Sequence, residues 1–407
     1  MLINSAYRYE LDPNVKQCIA LLKHAGTRRF AWNWALARRI ERFQTHEGKK
    51  RFSNAIEDHR EWNVWKKENA SWSSEVSKCA PQEAFRDLDK AFGNMNKAKK
   101  SGCKVGFPKF KKKFVHDSFR LTGSNKKGEP SNIRAIGDHV VLPKLGQIKT
   151  KETTRVQGRI LSCVVRREAD RWFVSFAVEK EIADPTQPKG GCVGIDLGLD
   201  TFATLSDGTK FHAPKPLKKN LDKLKRLSKR YSRKVKGSNN RKKSARKLAR
   251  LHYIVKNQRR DFINKITTLL AKTKSTIIIE DLAVKNMQRN SRLSRSISDV
   301  GWSEFRQKLM YKTRWYGSEL VVADRWFPSS KKCHVCGYIH ADLKLEDRVW
   351  ACPNCNTKHD RDFNAAINLE NYIPGVPWKF TPAEIGAVRL VVESGKESGK
   401  EYFSIHL

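Results

Sequence analysis

The segment ACPNCNTKHDRDFNAAINLEN, residues Ala351–Asn371, joins a metal-binding pattern to a predicted helix. It begins with a C-x2-C pair, continues into an Asp-Arg-Asp run, and ends in residues rich in Ala and Asn. Ala favours helix, and an Asp before the helix can cap its first turn. A metal-binding turn therefore leads directly into a helix that opens with carboxylates.

A second C-x2-C pair precedes the first by fifteen intervening residues. Each pair can direct two thiolates at one ion, and the two pairs complete the tetrahedral ligand set of a closed structural zinc site. Three histidines lie nearby in the sequence: His334, His340 and His359. A mixed-ligand site would need one of them to replace a cysteine sulfur. The sequence predicts one structural Zn²⁺ with these ligands: Cys333, Cys336, Cys352 and Cys355.

Acidic residues stand where apolar strands or a turn should hold them. Asp196 lies within VGIDLG, Glu280 ends TIIIE, and Asp360 and Asp362 precede the Ala- and Asn-rich helix. One such acid alone is more often a cap or turn residue. Carboxylates are ligands that Mg²⁺ prefers, and several of them converging at strand ends suggest a two-metal site that cuts a phosphodiester.

The chain is strongly basic, with 82 Lys and Arg against 42 Asp and Glu and a net charge of +40 over 407 residues. Residues 211–260 hold twenty of the basic residues and the single acid Asp222. Neutralising phosphates releases condensed counterions, so a polyanion is the expected partner. A basic surface without a partner would carry the cost of self-repulsion, and no stretch predicts a basic amphipathic helix for an anionic membrane. Nucleic acid is therefore the first candidate.

Neither a membrane span nor a secreted fold is indicated. No run of some eighteen apolar residues occurs, and the N-terminus MLINSAYRYELDP lacks the apolar core of a signal peptide. The remaining five cysteines are scattered singly and form no disulfide framework: Cys18, Cys79, Cys103, Cys163 and Cys192. We expect a soluble cytoplasmic protein of two or three domains.

Local patterns predict the elements. A strand in residues 1–15 should lead into helices up to about residue 96, followed by a β-rich region with a hairpin turning at residues 168–170. CVGIDLGLDTFATLSDGTKF predicts two short strands, and STIIIEDL predicts a buried parallel strand. SDVGWSEFRQKLMYKTRWYG predicts one helix and SELVVADRWFPSS another buried strand.

Four segments, GIDLGLDTFATLSDG, IIIEDL, FPSSKKCHVCG and HDRDFNAAINLE, resemble the signatures of TnpB, a family of RNA-guided nucleases of insertion sequences related to type V CRISPR effector nucleases. The similarity runs from TRRFAWNWALARR through GFPKFKKK and GSNNRKKSARKLARLH to the cysteine pairs. It implies an α+β multidomain fold. The implied parts are a wedge-type β-barrel (1–15 and 106–184), an inserted helical recognition region (16–105), an RNase H-like RuvC domain (190–328 and 358–373), a zinc-ribbon insertion (329–357) and a disordered tail (374–407).

The resemblance also implies roles for single residues. Asp196, Glu280 and Asp362 match the three catalytic acids, which would hold two Mg²⁺ ions. Asp360 is the alternative to Asp362 and would otherwise cap the helix. The zinc insertion would brace the last catalytic helix. EVSKCAPQEAF resembles the helix that recognises a short motif flanking the target. Lys78 and Gln82 would then contact base edges, although a phosphate contact or a solvated helix face stays open.

The implied function is that of an RNA-guided DNA endonuclease, which uses a transposon-derived guide RNA and cuts double-stranded DNA beside a flanking motif by Mg²⁺-dependent hydrolysis. Such a protein would be cytoplasmic and associated with the nucleoid when bound to DNA. Two other interpretations stay open. A DNA transposase could join strands with the same acids, and a non-catalytic RNA-guided repressor could bind DNA without cutting it.

Overall fold

The computed structural model describes residues 1–45, 53–113, 115, 117–123 and 131–375. The chain divides into a first unit, Met1–Ala183, and a second unit that begins at Asp184, and each mixes helices and sheets. Of the tail predicted to be disordered, only residues 374 and 375 lie inside the described part.

The described strands of the first unit form two antiparallel sheets, in the orders β1-β7-β6-β2 and β3-β4-β5. The predicted hairpin is confirmed, because β6 and β7 pair antiparallel around Ala169, whose φ is +56°. The predicted N-terminal strand is also confirmed, since β1 pairs with β7 along its length. The strands are β1 (Leu2–Leu11), β2 (Ser118–Thr122), β3 (Arg134–Ile136), β4 (His139–Leu142), β5 (Gly146–Lys149), β6 (Arg159–Glu168) and β7 (Arg171–Glu181).

The helical part of the first unit has a core of its own. The helices are α1 (Val15–Thr45), α2 (Ala55–Asn69) and α3 (Cys79–Lys100), with a 3-10 turn at Ser71–Glu75. Trp62 and Phe85 are fully buried between them. The Arg39 guanidinium, 1% exposed, donates to Asp58 and Asp89 within this core, which compensates its buried charge.

The second unit is built on a five-stranded sheet of order β10-β9-β8-β11-β12. Strands β8, β9 and β10 pair antiparallel, whereas β11 lies parallel to both β8 and β12. A smaller antiparallel pair, β13-β14, belongs to the cysteine-containing region. The strands are β8 (Gly190–Asp196), β9 (Thr201–Leu205), β10 (Lys210–His212), β11 (Lys274–Ile279), β12 (Glu319–Val322), β13 (Val349–Ala351) and β14 (Lys358–Asp360).

One local prediction for this sheet is confirmed but incomplete, and another is wrong. The segment predicted as two strands also contributes β10. The strand predicted across SELVVADRWFPSS ends at Val322 and lies partly exposed at the sheet edge. It ends there because the Asp324 carboxylate accepts the Trp326 N–H and starts a turn, and Pro328 has no N–H to donate to a neighbouring strand.

Helices flank this sheet, and their apolar faces share its core, where Phe202, Ile277 and Phe305 are fully buried. The segment predicted as one helix is two, α8 and α9, because Gly301 adopts φ +78° between them. The helices are α4 (Pro216–Lys219), α5 (Leu221–Ser232), α6 (Asn239–Thr273), α7 (Val284–Met287), α8 (Ser294–Val300), α9 (Trp302–Tyr316) and α10 (Arg361–Glu370).

Candidate active site and metal centre

The three predicted catalytic acids meet at one edge of the five-stranded sheet. Asp196 is the last residue of β8, and Glu280 directly follows β11. The two strands are parallel neighbours with Ile195 opposite Ile279, so both carboxylates leave the sheet at the same edge. Asp362 lies in the first turn of α10, which packs on β8. Two strands and a helix that are far apart in the sequence thus bring the three carboxylates into one cluster.

A glycine sets how closely α10 approaches β8. A Cβ atom added at Gly194 would lie 2.0 Å from the Ala366 carbonyl oxygen and 2.3 Å from the Glu370 backbone nitrogen. Any larger residue would push the helix away from the strand. Gly194 therefore allows the turn that carries Asp362 to lie beside the end of β8, where Asp196 is placed.

The electrostatics of the cluster are those of crowded acids. Burial raises the pKa of Asp196 well above its ordinary value, and the negative charges of Glu280 and Asp362 raise it further. Burial also raises the pKa of Glu280, against the opposing effects of a 2.6 Å hydrogen bond from Ser329 Oγ and of the Arg361 charge. Three carboxylates in one partly buried place favour a proton or a cation between them. Carboxylate oxygens are the ligands that Mg²⁺ prefers, which makes these acids candidate ligands for it.

The two carboxylates of the Asp-Arg-Asp run have different surroundings. Asp360 is the N-cap of α10, accepting the Phe363 N–H at 3.0 Å, and it pairs with Lys210 at 3.0 Å. Burial alone would raise the pKa of Asp360, but the Phe363 N–H and Lys210 lower it. Asp362 instead pairs with the exposed Arg348 at 3.4 Å and acts electrostatically on Asp196. The structure thus places Asp362 with the other acids, and Asp360 as the cap.

Sequence reasoning missed the residues that connect the acids to the cysteine region. Asn364 Nδ2 donates to the Lys332 carbonyl oxygen at 2.8 Å, and Asn368 Nδ2 donates to the Ser329 carbonyl oxygen at 2.8 Å. Both asparagines are buried on α10, and Ser329 in turn binds Glu280. The available signal was two Asn residues four apart on a helix, since buried amides need partners.

The four predicted zinc ligands converge. Their Sγ atoms all lie within 4.8 Å of one another, and two of the separations are 3.6 and 3.7 Å. A tetrahedral ion with Zn–S bonds of about 2.3 Å needs sulfurs roughly 3.8 Å apart, so this donor set fits Zn²⁺. The residues are Cys333, Cys336, Cys352 and Cys355.

Each cysteine pair forms the same tight turn. The Cys333 N–H donates to the Tyr338 carbonyl oxygen at 2.8 Å, and the Cys352 N–H donates to the Thr357 carbonyl oxygen at 2.9 Å. The residue after each pair has a positive φ: Gly337 at +78° and Asn356 at +55°. This repeated geometry directs both sulfurs of a pair to one side.

The nearby histidines surround the sulfurs. His359 Nε2 lies 3.1 Å from Cys333 Sγ, and His334 Nδ1 lies 2.9 Å from Asn364 Oδ1. The His340 ring lies 5.8 Å from the Trp350 ring. None of these contacts displaces a sulfur from the four-cysteine group, so nothing in the geometry calls for a mixed ligand set.

The structure places Lys78 and Gln82 at the start of α3. Lys78 is exposed and immediately precedes the helix, and Gln82 is half-buried one turn later. Lys78 lines a cavity of about 370 Å³ together with Lys66, Lys144 and His59. His24 Nε2 accepts the Ser77 N–H at 3.0 Å and fixes the backbone before Lys78.

The basic run predicted from the sequence lies largely on α5 and α6. Leu224 of α5 and Leu251 of α6 are buried on the apolar faces of these packed helices. Five basic side chains of α5 are exposed: Lys223, Lys225, Arg226, Lys229 and Arg230. Among the residues that the structure describes, none of the helices is both long and apolar enough to cross a membrane.

Three family models match the chain. One described as "Probable transposase" matches residues 175–291, and one described as "Cas12f1-like, TNB domain" matches residues 302–369. A third, described as "Helix-turn-helix domain", matches residues 1–49, of which residues 1–45 form the strand β1 and the single long helix α1. The matches to the second unit thus cover Asp196 and Glu280 in the first model, and Asp362 and the cysteines in the second.

Curated relatives match along most of the chain. One from Streptomyces pristinaespiralis, named "Putative RNA-guided DNA endonuclease", is 37% identical over 380 residues, covering 90% of this chain and 89% of the relative. One from Escherichia coli, "Putative RNA-guided DNA endonuclease InsQ", is 32% identical and covers 89% and 91%. A "TnpB-like protein" of Methanocaldococcus jannaschii is 27% identical over 53% of this chain and 49% of its own length.

A cryo-EM structure of a Cas12f1-sgRNA-target DNA complex aligns with 92% of this chain and 100% of that chain, at 16% identity and a TM-score of 0.32. That likeness is too weak to bear on this chain. The identity with the bacterial relatives, over nine-tenths of the chain in the first case, decides the family. With its strand-end acids, its cysteine pairs and these relatives, the chain belongs to the TnpB family.

Proposed function

We propose that this protein is an RNA-guided DNA endonuclease that cuts double-stranded DNA next to a short flanking motif, by Mg²⁺-dependent phosphodiester hydrolysis in an RNase H-like RuvC site. The observation that carries the proposal is the convergence of Asp196, Glu280 and Asp362 at the ends of β8 and β11 and the start of α10. Relatives with the name "Putative RNA-guided DNA endonuclease" support it. The RuvC assignment is supported by the mixed sheet, with three antiparallel strands followed by two parallel ones.

The three carboxylates would hold the metal, and the chain's other residues keep them in place. When bound there, Mg²⁺ would activate a water molecule and stabilise the leaving oxygen of the phosphodiester. Ser329 Oγ, 2.6 Å from Glu280 Oε1, fixes the orientation of that carboxylate. The buried Arg361 lowers the pKa of both Asp196 and Glu280, which favours the charged form that a cation needs.

The proposed partners are a transposon-derived guide RNA and the target DNA, acting in the cytoplasm and at the nucleoid. The +40 charge and the exposed basic face of α5 support a polyanionic partner. Lys78 and Gln82, at the start of α3, are proposed to contact the flanking motif in the major groove. The four-cysteine group is proposed to hold one structural Zn²⁺ next to α10.

DNA strand transfer is the second candidate, because the model that matches residues 175–291 is described as "Probable transposase". The same acids could serve strand joining, since both reactions activate a nucleophile against a phosphodiester. A non-catalytic repressor is less well supported, because all three acids are present and lie together.

One experiment separates these functions. Purified protein, reconstituted with its guide RNA and Mg²⁺, is incubated with a matched plasmid and the products are sequenced. We expect free double-strand ends beside the flanking motif, and a loss of cleavage of roughly a thousandfold or more in Asp196→Ala, because metal ligands act as a unit. Joined strands would favour the transposase. Undiminished cutting by the Asp196→Ala protein would contradict the proposed site.

A further inference from the structure

The loop of residues 323–329 is attached at three points to the end of β11, where the acids converge. The Ala323 N–H donates to the Ile279 carbonyl oxygen at 2.8 Å, and Ser329 Oγ donates to Glu280 at 2.6 Å. Between these points, the Arg325 guanidinium forms an ion pair with Asp281. Ile279, Glu280 and Asp281, at the end of β11 and directly after it, therefore hold both ends and the middle of this loop.

The interior of the loop is also fixed. The Asp324 N–H donates to the Tyr372 hydroxyl at 3.1 Å, and the Phe327 ring lies 5.0 Å from the Tyr372 ring. The Trp326 N–H donates to the Asp324 carboxylate at 2.8 Å. The backbone around Trp326 is therefore held from both sides.

The Trp326 side chain is nevertheless 80% exposed. A single exposed apolar residue is common, and alone it would indicate nothing. Here, however, a large aromatic side chain is presented to solvent by a fixed loop, within three residues of both Ala323 and Ser329. Three residues of chain span at most about 11 Å, so the Trp326 backbone lies within that distance of Ser329, which binds Glu280.

The charges around Trp326 suit a phosphate backbone. Arg325 and Arg306 both pair with Asp281, which leaves two guanidiniums against one carboxylate, and their side chains are 50% and 40% exposed. An aromatic platform with half-exposed guanidiniums beside it is the combination that binds single-stranded nucleic acid by stacking on bases and neutralising phosphates. A protein partner would instead need a wider apolar surface.

We propose that Trp326 is a stacking platform for one base of single-stranded DNA held at the acid cluster, with Arg325 and Arg306 contacting the adjoining phosphates. The choice of DNA over RNA rests on the proposed function, because the strand to be cut must reach these acids. Stacking is tolerant of sequence, since every base has a π-face, so this contact would not restrict which targets are cut.

A binding experiment tests the platform without requiring cleavage. Full-length protein, without added Mg²⁺, is titrated into single-stranded DNA containing 2-aminopurine, whose fluorescence falls when it stacks on an aromatic ring. We expect Trp326→Ala to weaken binding by roughly fivefold or more and to abolish the quenching, and Trp326→Phe to restore most of both. Leu345→Ala, which removes an equally exposed apolar side chain (82%) from the same unit, should change neither.

A second experiment finds the stacked base. Guided cleavage is measured on targets in which successive nucleotides near the cut are replaced by abasic sites. Wild type should slow about fivefold or more at one position, and Trp326→Ala should be equally slow with or without that base. Wild-type behaviour of Trp326→Ala in both experiments would overturn the proposal and leave the nuclease function standing. If wild type does not cleave although quenching depends on Trp326, the nuclease proposal fails and the platform stands.

Discussion

Asp360 and Asp362 lie two positions apart in the chain and have different surroundings in the structure. The sequence offers both as the third acid, because either could precede the helix and either could hold a cation. The start of α10 at Arg361 gives them different surroundings: it makes Asp360 the N-cap, with its oxygens bound by the Phe363 N–H and Lys210. Asp362 then lies in the first turn, where its charge reaches Asp196.

Replacing these two acids should therefore have different effects. Asp362→Ala should lose guided DNA cleavage by roughly a thousandfold or more while the protein stays folded and still binds its target. Asp360→Ala should keep most of its activity and lose about 1 kcal/mol of stability, the cost of a missing N-cap. Single-turnover cleavage and thermal unfolding of the two variants check this. The reverse order of activity would assign the third acid to Asp360.

His24 predicts a pH dependence in the first unit. Burial lowers the pKa of His24, against the opposing effect of its hydrogen bond to the Ala20 carbonyl oxygen. The neutral ring is needed, because its Nε2 accepts the Ser77 N–H. Since the folded pKa lies below the unfolded one, this contribution to stability is complete above about pH 6.5 and is lost as the pH falls.

The measurement compares wild type with His24→Gln in urea unfolding between pH 5 and pH 8. Wild type should lose stability relative to the variant on acidification, with a slope of at most about 1.4 kcal/mol per pH unit, because one proton is involved. A difference between the two proteins that does not vary with pH would contradict the assignment.

The contact between β8 and α10 sets the geometry of the acids. Gly194→Ala should displace α10, lower stability by roughly 1–3 kcal/mol, and reduce cleavage more than DNA binding, since Asp362 moves away from Asp196. Gly191→Ala is the matched control in the same strand, because a Cβ there meets nothing within 4 Å. Unfolding curves and cleavage rates of both variants provide the test. Equal effects would show that close packing at Gly194 does not position the helix.

The cysteine pairs should act on the same helix. We expect one tightly bound zinc per chain, and loss of that zinc in Cys352→Ser with destabilisation of α10, because structural zinc binding is coupled to folding. Buried Asn364 and Asn368 would transmit the change, since they bind backbone carbonyls at the start of the cysteine region. Elemental analysis and hydrogen exchange of α10 provide the measurement. The control is Cys103→Ser, which changes an exposed cysteine outside the four-cysteine group and should keep its zinc. Wild-type protein that is active but contains no zinc would refute the site.

The sequence predicted the elements whose signals are local, such as the hairpin at Ala169 and the strand β11. The spacing of the two cysteine pairs also predicted that the four sulfurs converge. It predicted one helix where Gly301 makes two, because an isolated glycine is also tolerated inside helices. It did not indicate that Ser329 binds Glu280, forty-nine positions earlier in the chain. Contacts of that kind depend on how α10, β11 and the loop pack together, and no periodic pattern in the sequence records them.

The net charge of +40 favours binding of almost any nucleic acid at low salt, so a binding measurement alone does not separate a guided nuclease from an unspecific one. The exposed basic face of α5 attracts DNA of any sequence, and one cluster of acids would cut whatever strand reaches it. A guided nuclease must therefore keep unselected DNA away from the acids. In the proposed function, pairing between guide and target would supply that selection, because such a heteroduplex is recognised by its shape and backbone.

Cleavage should therefore depend on RNA. Protein treated with RNase should not cut duplex DNA in the presence of Mg²⁺, and adding back its RNA should restore cutting only on targets that match the guide and carry the flanking motif. The assay is run at near-physiological salt, where unspecific binding of a basic surface is weakened. Cleavage of matched and unmatched plasmids is followed with and without the reconstituted RNA, and Asp196→Ala with RNA controls for contaminating nucleases. Equal cutting of both plasmids without RNA would contradict guidance, and it would leave the acids at β8, β11 and α10 to an unspecific nuclease or a transposase.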